Sequence, residues 1–382
     1  PPFNTGAGYA MGINAGAEMT TFEMRFIALR CKDTIAPTGT IAQGVGAKQV
    51  NSLGEVYENK YGLTTSQRVY GTVRENIEGR GPCYLKTEGI TPEQDDSLKR
   101  AYLNMAPSQT LKWLESGKNP SEQNVEIEGT EPYIVGGHTA SGYWVDNDRE
   151  STIHGLFAAG DVAGGCPQKY VTGAMVEGEI AAIAMVKQLD EGYTEPELDE
   201  ETAFDRKIEE YDHFLDTDEK MFTYEAIEEA MQKVMDNYAG GISTHYQFNE
   251  KQLELAKEKI EQLQKLVWHI SAYDMHELMF VYEVKERLTV ALSVIAHLKD
   301  RKETRWHSFA ENLDYPEKGK EWEIFVNSKM VDGELKMIHR ELVNLCQVPA
   351  GNMACSVSPS PEATSNGLMF QGKGDAYEHS DK

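Results

Sequence analysis

The stretch between Gly155 and Gly165 holds the clearest chemical signal, because a short apolar run ends there in Gly160-Asp161 and a helical pattern follows. A strand, a turn and a helix in this order place a carboxylate at the carboxyl end of the strand and aim the amides of the helix N-terminus at the same point. Such a corner can hold a flavin, with Asp161 accepting hydrogen bonds from ribitol hydroxyls. The alternative is an ordinary strand-to-helix turn capped by Asp161.

A second candidate group is Gly136-Gly137-His138, which follows Glu131-Pro132-Tyr133. Two glycines let the backbone approach a planar ring closely, and a histidine beside them can present a positive or hydrogen-bonding edge to a substrate. A structural histidine is the equally weighted alternative.

Two arginines, Arg25 and Arg30, lie in one β-rich run five positions apart. Residues at this separation on a strand face opposite sides, so the pattern predicts that at most one of the two faces a given cleft. Both could otherwise be solvated edge residues.

The elements that must position these groups differ along the chain. The sequence predicts a small-residue helix at residues 10–17, a mixed region with a polar helix at residues 94–116, and a strand, turn and helix at residues 153–189. From Thr202 to about Leu345 the apolar residues recur at helical spacing, which indicates a helical bundle. Residues 346–382 are rich in Ser, Pro and Gly and are predicted to be a disordered tail.

The composition excludes several classes of function. The 382 residues include 37 basic and 62 acidic side chains, and this net charge of −25 argues against a nucleic-acid partner. No apolar stretch approaches the roughly 20 residues of a membrane span, and no signal peptide opens the chain. A cytoplasmic protein is therefore expected.

The cysteines are widely spaced. None of the five, Cys31, Cys83, Cys166, Cys346 and Cys355, forms a Cys-x-x-Cys pair. This spacing fits neither a disulfide framework nor an iron–sulfur cluster or other metal site, so any redox reaction would need electrons from elsewhere.

Several runs resemble one known family. The chain is similar to flavoproteins of the succinate dehydrogenase and fumarate reductase superfamily and, within it, to the flavoprotein subunit of adenylylsulfate reductase. The runs that carry the second resemblance are Glu131-Pro132-Tyr133-Ile134, Gly137-His138, Tyr143-Trp144-Val145, Lys169-Tyr170, Gly173, Glu177-Gly178, Tyr238-Ala239, Gly241-Ile242, Asn249-Glu250-Lys251, Asp274-Met275-His276-Glu277-Leu278-Met279, Arg301-Lys302-Glu303-Thr304-Arg305-Trp306 and Asp314-Tyr315-Pro316.

The resemblance implies a fold of the α/β plus all-α class, with a fumarate reductase-type FAD-binding portion, an α+β capping domain and a C-terminal helical domain. It also implies that the family's N-terminal segment, with the Gly-x-Gly-x-x-Gly turn for the ADP half of FAD, is missing from this chain. The expected domains are residues 1–25 with 134–195 for the FAD-binding portion, 26–133 for the capping domain and 196–345 for the helical domain.

Residue roles follow from the resemblance alone. Arg30 and His138 are expected around the sulfate group of the substrate as catalytic residues. Arg68 is expected to stack on adenine, and Gln43 and Arg25 are further candidates for substrate binding. The residues expected around non-covalently bound FAD are Gly136, Gly137, Gly160, Asp161, Lys169, Thr172, Gly173 and Ala174.

The implied activity is reduction of adenosine 5′-phosphosulfate to sulfite and AMP through a flavin–sulfite adduct. Its electrons would come from a separate ferredoxin-like iron–sulfur beta subunit.

Two alternatives remain. A dicarboxylate flavoprotein, such as a fumarate reductase, succinate dehydrogenase or aspartate oxidase, is disfavoured because the chain has Ala36-Pro37-Thr38-Gly39 where those relatives have His-Pro-Thr-Gly. The second is a non-catalytic fragment whose helical part serves only for docking.

Overall fold

A computed structural model describes residues 5–165, 169–194, 200–215, 221–305 and 311–342. The predicted disordered tail at residues 346–382 and the predicted boundary at residues 195 and 196 lie outside these ranges. The other domain boundaries stay predictions.

The described residues form eleven α-helices and ten β-strands. The helices are α1 (Ala7–Ala15), α2 (Glu58–Tyr61), α3 (Thr65–Ile77), α4 (Pro92–Met105), α5 (Pro107–Ser116), α6 (Gly136–Thr139), α7 (Tyr170–Asp190), α8 (Glu200–Leu215), α9 (Tyr224–Tyr238), α10 (Glu250–Leu266) and α11 (Met275–Asp300). The strands are β1 (Met19–Thr20), β2 (Leu29–Cys31), β3 (Gln49–Val50), β4 (Cys83–Leu85), β5 (Val125–Gly129), β6 (Gly142–Tyr143), β7 (Gln247–Phe248), β8 (Glu311–Asn312), β9 (Ile324–Val331) and β10 (Glu334–Glu341). The expected mixture of helix and sheet is confirmed, and none of the described helices meets the length and apolarity of a bilayer-crossing segment.

One antiparallel sheet joins distant parts of the chain in the order β10-β9-β1-β6. In its register Met19 lies opposite both Tyr143 and Ser328, so the short strand β1 has a partner on each side. Strand β6 continues into a parallel bridge between Tyr143 and Ala163, next to the turn that contains Asp161. The sheet thereby links the start of the described chain, the predicted flavin turn and the C-terminal hairpin.

The hairpin β9–β10 corrects the expectation that the chain is helical up to about Leu345. Residues 324–331 and 334–341 are strands, joined through Asp332 and Gly333, which both have a positive φ. An Asp-Gly pair between two extended runs is a strong signal for a two-residue hairpin turn. The helical periodicity of the preceding residues ends before this turn.

The predicted strand at residues 155–159 is also shorter than expected. Only an isolated bridge between Glu150 and Phe157 forms there. The helix that follows, α7, begins at Tyr170, close to the predicted start at Thr172.

A second antiparallel sheet, ordered β2-β5-β4-β3, packs with α3, α4 and α5 around its own core. Arg30 on β2 lies directly opposite Glu128 on β5. Both α3 and α4 begin with a capping box, formed by Thr64 with Gln67 and by Thr91 with Gln94, which satisfies amides that a helix start leaves free. This region carries Arg30, Gln43 and Arg68.

The larger core joins α1 to α9, α10 and α11. The apolar stripes predicted from the sequence are largely confirmed, since Leu253 and Ile260 on α10 and Val281, Val284 and Leu288 on α11 are completely buried. Leu255, which was predicted to belong to the α10 stripe, is instead 37% exposed. Burial of side chains of this size stabilises the fold by about 1.5–3 kcal/mol each. The bundle therefore gives α1 and the segment after β1 a rigid support.

A buried ionic network fixes the segment that leads to Arg25. Arg301 donates to Glu23 at 2.8 Å, and the Nδ1 atom of His297 lies 3.1 Å from the other oxygen of the same carboxylate. The pKa of Glu23 is lowered overall, because the attraction of Arg301 and the contacts with His297 outweigh the opposing effect of burial. The C-terminal end of α11 is thus locked to the chain two residues before Arg25.

Candidate functional site

A cavity of about 1000 Å³ lies where α1, the segment at residues 131–135, the turn after Gly160, and helices α9 and α11 meet. Its wall is mostly apolar, and the charged side chains in it include Arg25, Glu131 and Asp161. Large, mainly apolar cavities with a few converging polar groups are the usual form of small-molecule sites. This cavity is therefore the candidate site.

Buried polar contacts hold the turn at Gly160. We name this group the turn clamp, and it consists of Lys169, Glu177 and the backbone of Gly160. Lys169 donates to the carbonyl oxygen of Gly160 at 2.8 Å and pairs with Glu177 at 3.0 Å. Glu177 accepts from the amide of Gly160 at 2.9 Å. Lys169 was predicted to bind the cofactor. In the structure its ammonium group binds the backbone of the turn.

Backbone geometry explains the glycine at position 160. Its φ is +71°, a left-handed value that is costly for other residues, and an added Cβ would lie 3.3 Å from the Cβ of Ala174. Gly160 and Ala174 thus mark the close approach of the turn to α7, rather than two groups that face the cavity.

Asp161 and Val162 are the members of the turn that line the cavity, and Asp161 is the charged one. Its side chain is exposed and lies in the cavity wall, while its carbonyl oxygen accepts a hydrogen bond from the hydroxyl of Tyr9 at 2.5 Å. The turn is therefore fixed through its backbone, and the carboxylate remains available to a ligand.

The first turn of α7 contains the other predicted flavin contacts. Thr172 is exposed, and the amide of Gly173 donates to the carbonyl of Lys169 at 2.8 Å. A Cβ at Gly173 would lie 2.8 Å from the Cβ of Lys169, so this glycine lets the clamp residue fit against the helix. Neither residue is part of the cavity wall.

Gly136, Gly137 and His138 form the short helix α6 beside the turn. The His138 ring lies 4.3 Å from the ring of Phe26 and 5.4 Å from that of Tyr170, measured between centroids. Burial lowers the pKa of His138 below its usual 6.5, although the negative charge of Asp161 acts in the opposite direction. At neutral pH the imidazole is therefore mainly uncharged and can donate one hydrogen bond.

The two predicted arginines occupy different places. Arg25 is buried, lies in the cavity wall and donates to the carbonyl of Ala239 at 2.6 Å. Arg30 lies behind Glu131, with which it forms two hydrogen bonds of 2.8 and 2.9 Å. Arg25 lines this cavity and Arg30 does not, as expected, but the predicted reason is wrong: only Leu29–Cys31 of the run is a strand, and Arg25 precedes it.

Burial affects the two guanidinium groups differently. It lowers the pKa of Arg25 to about 10, so the group stays charged at neutral pH. It also acts to lower the pKa of Arg30, but the hydrogen bonds and charges of Glu131 and Glu128 outweigh it, and the pKa is raised overall.

The structure does not bring Arg68 and Gln43 to the cavity. Arg68 lies on α3, where its Nε donates to the carbonyl of Leu63 at 3.0 Å. Gln43 is exposed in a short helical turn at residues 40–44. Their predicted adenine contacts stay predictions.

Sequence reasoning gave no role to Glu177, Tyr9 and Glu131. Glu177 lies eight positions after Lys169, a spacing close to two helical turns that could have suggested a shared face of α7. Tyr9 follows a glycine and Glu131 precedes a proline. Such a neighbour does not predict that a residue contacts a binding site.

Helix α7 presents an apolar surface outside both cores of the described residues. Its buried residues are Glu177, Ala181 and Ala184. The large apolar side chains that it exposes are Tyr170, Val171, Met175, Val176, Ile183, Met185, Val186 and Leu189.

Comparisons with known proteins identify relatives. No protein-family model matches the chain. The chain is 29% identical to the alpha subunit of adenylylsulfate reductase from Megalodesulfovibrio gigas, in a match that covers 86% of the chain and 59% of the relative. It is 26% identical to an uncharacterized FAD-dependent oxidoreductase from Methanocaldococcus jannaschii, over 84% of the chain and 58% of the relative.

Solved structures give the same picture. Adenylylsulfate reductase from Archaeoglobus fulgidus superposes with a TM-score of 0.83 at 32% identity, over 90% of the chain and 63% of the other. An adenosine-5-phosphosulfate reductase with a covalent sulfite adduct matches equally well, with a TM-score of 0.83 at 31% identity. A variant of Escherichia coli quinol fumarate reductase, at 16% identity and a TM-score of 0.72, shares the fold.

The chain spans about three-fifths of the length of these relatives. The resemblance inferred from the sequence is confirmed, as is the fold class that it implied.

Proposed function

We propose that this homologue of the adenylylsulfate reductase alpha subunit is the flavoprotein part of an enzyme that reduces adenosine 5′-phosphosulfate to sulfite and AMP. The observation that carries the proposal is the cavity of about 1000 Å³, whose wall combines the Asp161 turn with a charged arginine, Arg25. A carboxylate suited to flavin hydroxyls and a cation suited to a sulfate or phosphate group thus face one space.

The residues around the turn fit a flavin. Gly165 has a φ of +81° with open space where a Cβ would stand, so a planar ring can approach the backbone there. Asp161, four residues earlier in the chain, is exposed and can accept hydrogen bonds. The proposed cofactor is FAD, which when bound supplies the electron pair for the reduction of sulfur.

The protein groups would act mainly through charge. As the sulfur–oxygen bond to AMP breaks, negative charge moves to the leaving phosphate and stays on the sulfite. Arg25 offers a fixed cation in the cavity wall, and His138 offers a neutral hydrogen-bond donor beside the turn. Groups placed in advance at such positions lower the barrier because they need no rearrangement as the charge develops.

A second subunit completes the proposal. The Megalodesulfovibrio gigas relative is named as an alpha subunit. By analogy we expect an iron–sulfur beta subunit to deliver electrons to this chain. The cytoplasm is the expected location, since Cys31 and Cys83 are buried free thiols, as is usual in a reducing compartment.

The fumarate reductase likeness favours no second function, because at 16% identity it concerns the fold alone. A dicarboxylate activity and a non-catalytic role are therefore outcomes of the test. The assay compares sulfite release from adenosine 5′-phosphosulfate with succinate oxidation, using the purified protein with FAD and an iron–sulfur donor. Succinate oxidation without sulfite release would contradict the proposal, and so would a protein that neither binds FAD nor turns over.

Two substitutions test the predicted substrate contacts. Arg30→Ala and His138→Ala should each lower kcat by about 100- to 1000-fold, the usual loss when one charge-stabilising donor is removed. Bound FAD, measured by absorbance, should stay the same. Arg74→Ala is the matched control, because Arg74 on α3 pairs with Glu78 at 3.1 Å and does not line the cavity. Activity near wild type in both variants would overturn the assignment of these residues.

A further inference from the structure

Arg30 is surrounded by carboxylates rather than open to a ligand. Its Nη1 and Nη2 atoms donate to the two oxygens of Glu131 at 2.8 and 2.9 Å, and its Nε donates to Glu128 at 3.1 Å. A guanidinium group has five N–H donors in one plane, and Glu131 occupies the two-pronged edge formed by Nη1 and Nη2, which suits an oxyanion. We call Arg30, Glu128 and Glu131 the arginine clamp.

The two carboxylates of the arginine clamp are not equivalent. Glu128 is opposite Arg30 in the register of β2 and β5, and its side chain is 24% exposed. Glu131 follows β5, its side chain is 66% exposed, and it is part of the cavity wall. Glu128 is therefore held by the sheet, whereas Glu131 can turn away at little cost.

In the part of the chain that the structure describes, Glu131 lines the cavity and Arg30 does not. Glu131 therefore lies between the guanidinium group and the cavity. With both carboxylates in place the clamp carries a net charge of −1, which repels an anion. If Glu131 turns away, the pair of Arg30 and Glu128 is neutral, and the two-pronged edge of the guanidinium group opens toward the cavity.

We propose that Glu131 is an internal competitor that occupies the oxyanion-binding edge of Arg30 and is displaced by the sulfate or phosphate group of the ligand. A carboxylate and a tetrahedral oxyanion both present two oxygens to the same pair of donors. The inference rests on the proposed function for the identity of the natural ligand, but not for the geometry. Glu131 thus sets the selectivity of the site, because only an anion that binds Arg30 better than a tethered carboxylate can enter.

The test is the affinity of the purified protein for inorganic sulfate and for AMP, measured by isothermal titration calorimetry at constant ionic strength. Glu131→Gln removes the competing charge, and its affinity for at least one of the two probes should increase by about tenfold. Glu128→Gln is the matched control, because it removes the same charge from the same guanidinium group but leaves Glu131 in place. Its affinity should change less than twofold.

A double variant checks that Arg30 is the site. The gain from Glu131→Gln should disappear in Glu131→Gln combined with Arg30→Gln, and circular dichroism should show that both variants are folded. Equal gains in the two single Gln variants would mean that net charge alone matters and would overturn the inference. No gain in Glu131→Gln would overturn it as well.

The outcomes separate this inference from the proposed function. Tighter anion binding without sulfite release from adenosine 5′-phosphosulfate supports the competitor role and contradicts the proposed reaction. Sulfite release with unchanged anion affinity in Glu131→Gln supports the reaction and overturns the competitor role alone.

Discussion

The turn clamp and the arginine clamp are two ionic groups with opposite designs. In the turn clamp the side chains of Lys169 and Glu177 are only 2% and 7% exposed, and both bind the backbone of Gly160. In the arginine clamp the side chain of Glu131 is 66% exposed and accepts two hydrogen bonds from the guanidinium group of Arg30.

The difference shows how burial changes the cost of breaking an ion pair. A buried ion pair is strongly coupled to the fold, because removing one member leaves the other desolvated and short of partners. An exposed carboxylate can exchange its partner for water or for a ligand at a cost near zero to 1 kcal/mol. One group therefore fixes geometry, while the other can respond to a ligand.

The largest effect should come from breaking the turn clamp. Lys169→Met leaves the buried Glu177 with Arg149, at 3.3 Å, as its ionic partner and removes the donor to the carbonyl of Gly160. The free energy of unfolding should therefore fall by about 3 kcal/mol, the lower end of the loss for a broken buried pair. Urea denaturation measures the loss. Lys187→Met on α7 is the matched control, because Lys187 is 70% exposed and its contact with Glu191 is long, at 3.9 Å. A loss as small as that of the control would show that the clamp is not structural.

A smaller effect is expected at the exposed carboxylate of the same turn. Asp161→Asn should weaken FAD binding by about 10- to 100-fold, the equivalent of losing a hydrogen bond to a charged group, worth about 1.5–3 kcal/mol. Quenching of FAD fluorescence measures the affinity, and the free energy of unfolding should stay the same. Asp190→Asn, at the other end of α7, is the control. Unchanged FAD affinity would remove Asp161 from the proposed site.

The smallest effect concerns the pH dependence of His138. Because its pKa in the folded protein is below 6.5, the unfolded chain binds the proton more readily, and stability should fall as the pH decreases below about 6.5. Above that pH the contribution is fully present. Asp161→Asn should lower the pKa of His138 further, since it removes the negative charge that favours the imidazolium form. NMR titration of the His138 ring measures both values, and a midpoint above 6.5 in the wild-type protein would contradict the argument.

Much of the scaffold could be predicted from local patterns. The apolar spacing on α10 and α11 and the Gly160-Asp161 turn before α7 were visible in the sequence, because helical periodicity and turn chemistry act over a few residues. The hairpin β9–β10 was not predicted, although Asp332-Gly333 is a turn signal. The helical periodicity of the residues before it does not continue past that turn. Strand β1 is only two residues long, too short for any period to reveal.

The sequence by itself determined which residues carry charge and that α7, α10 and α11 are helices, and it carried the resemblance to adenylylsulfate reductase flavoproteins. Only the tertiary structure decided that Lys169 supports the turn from below, that Arg25 faces the cavity, and that Arg30 is covered by Glu131. Arg30 and Glu131 are 101 positions apart in the chain. Pairing over that distance depends on how β2 and β5 meet, because local preferences extend over a few residues whereas desolvation and charge neutralisation depend on every group that the fold brings together.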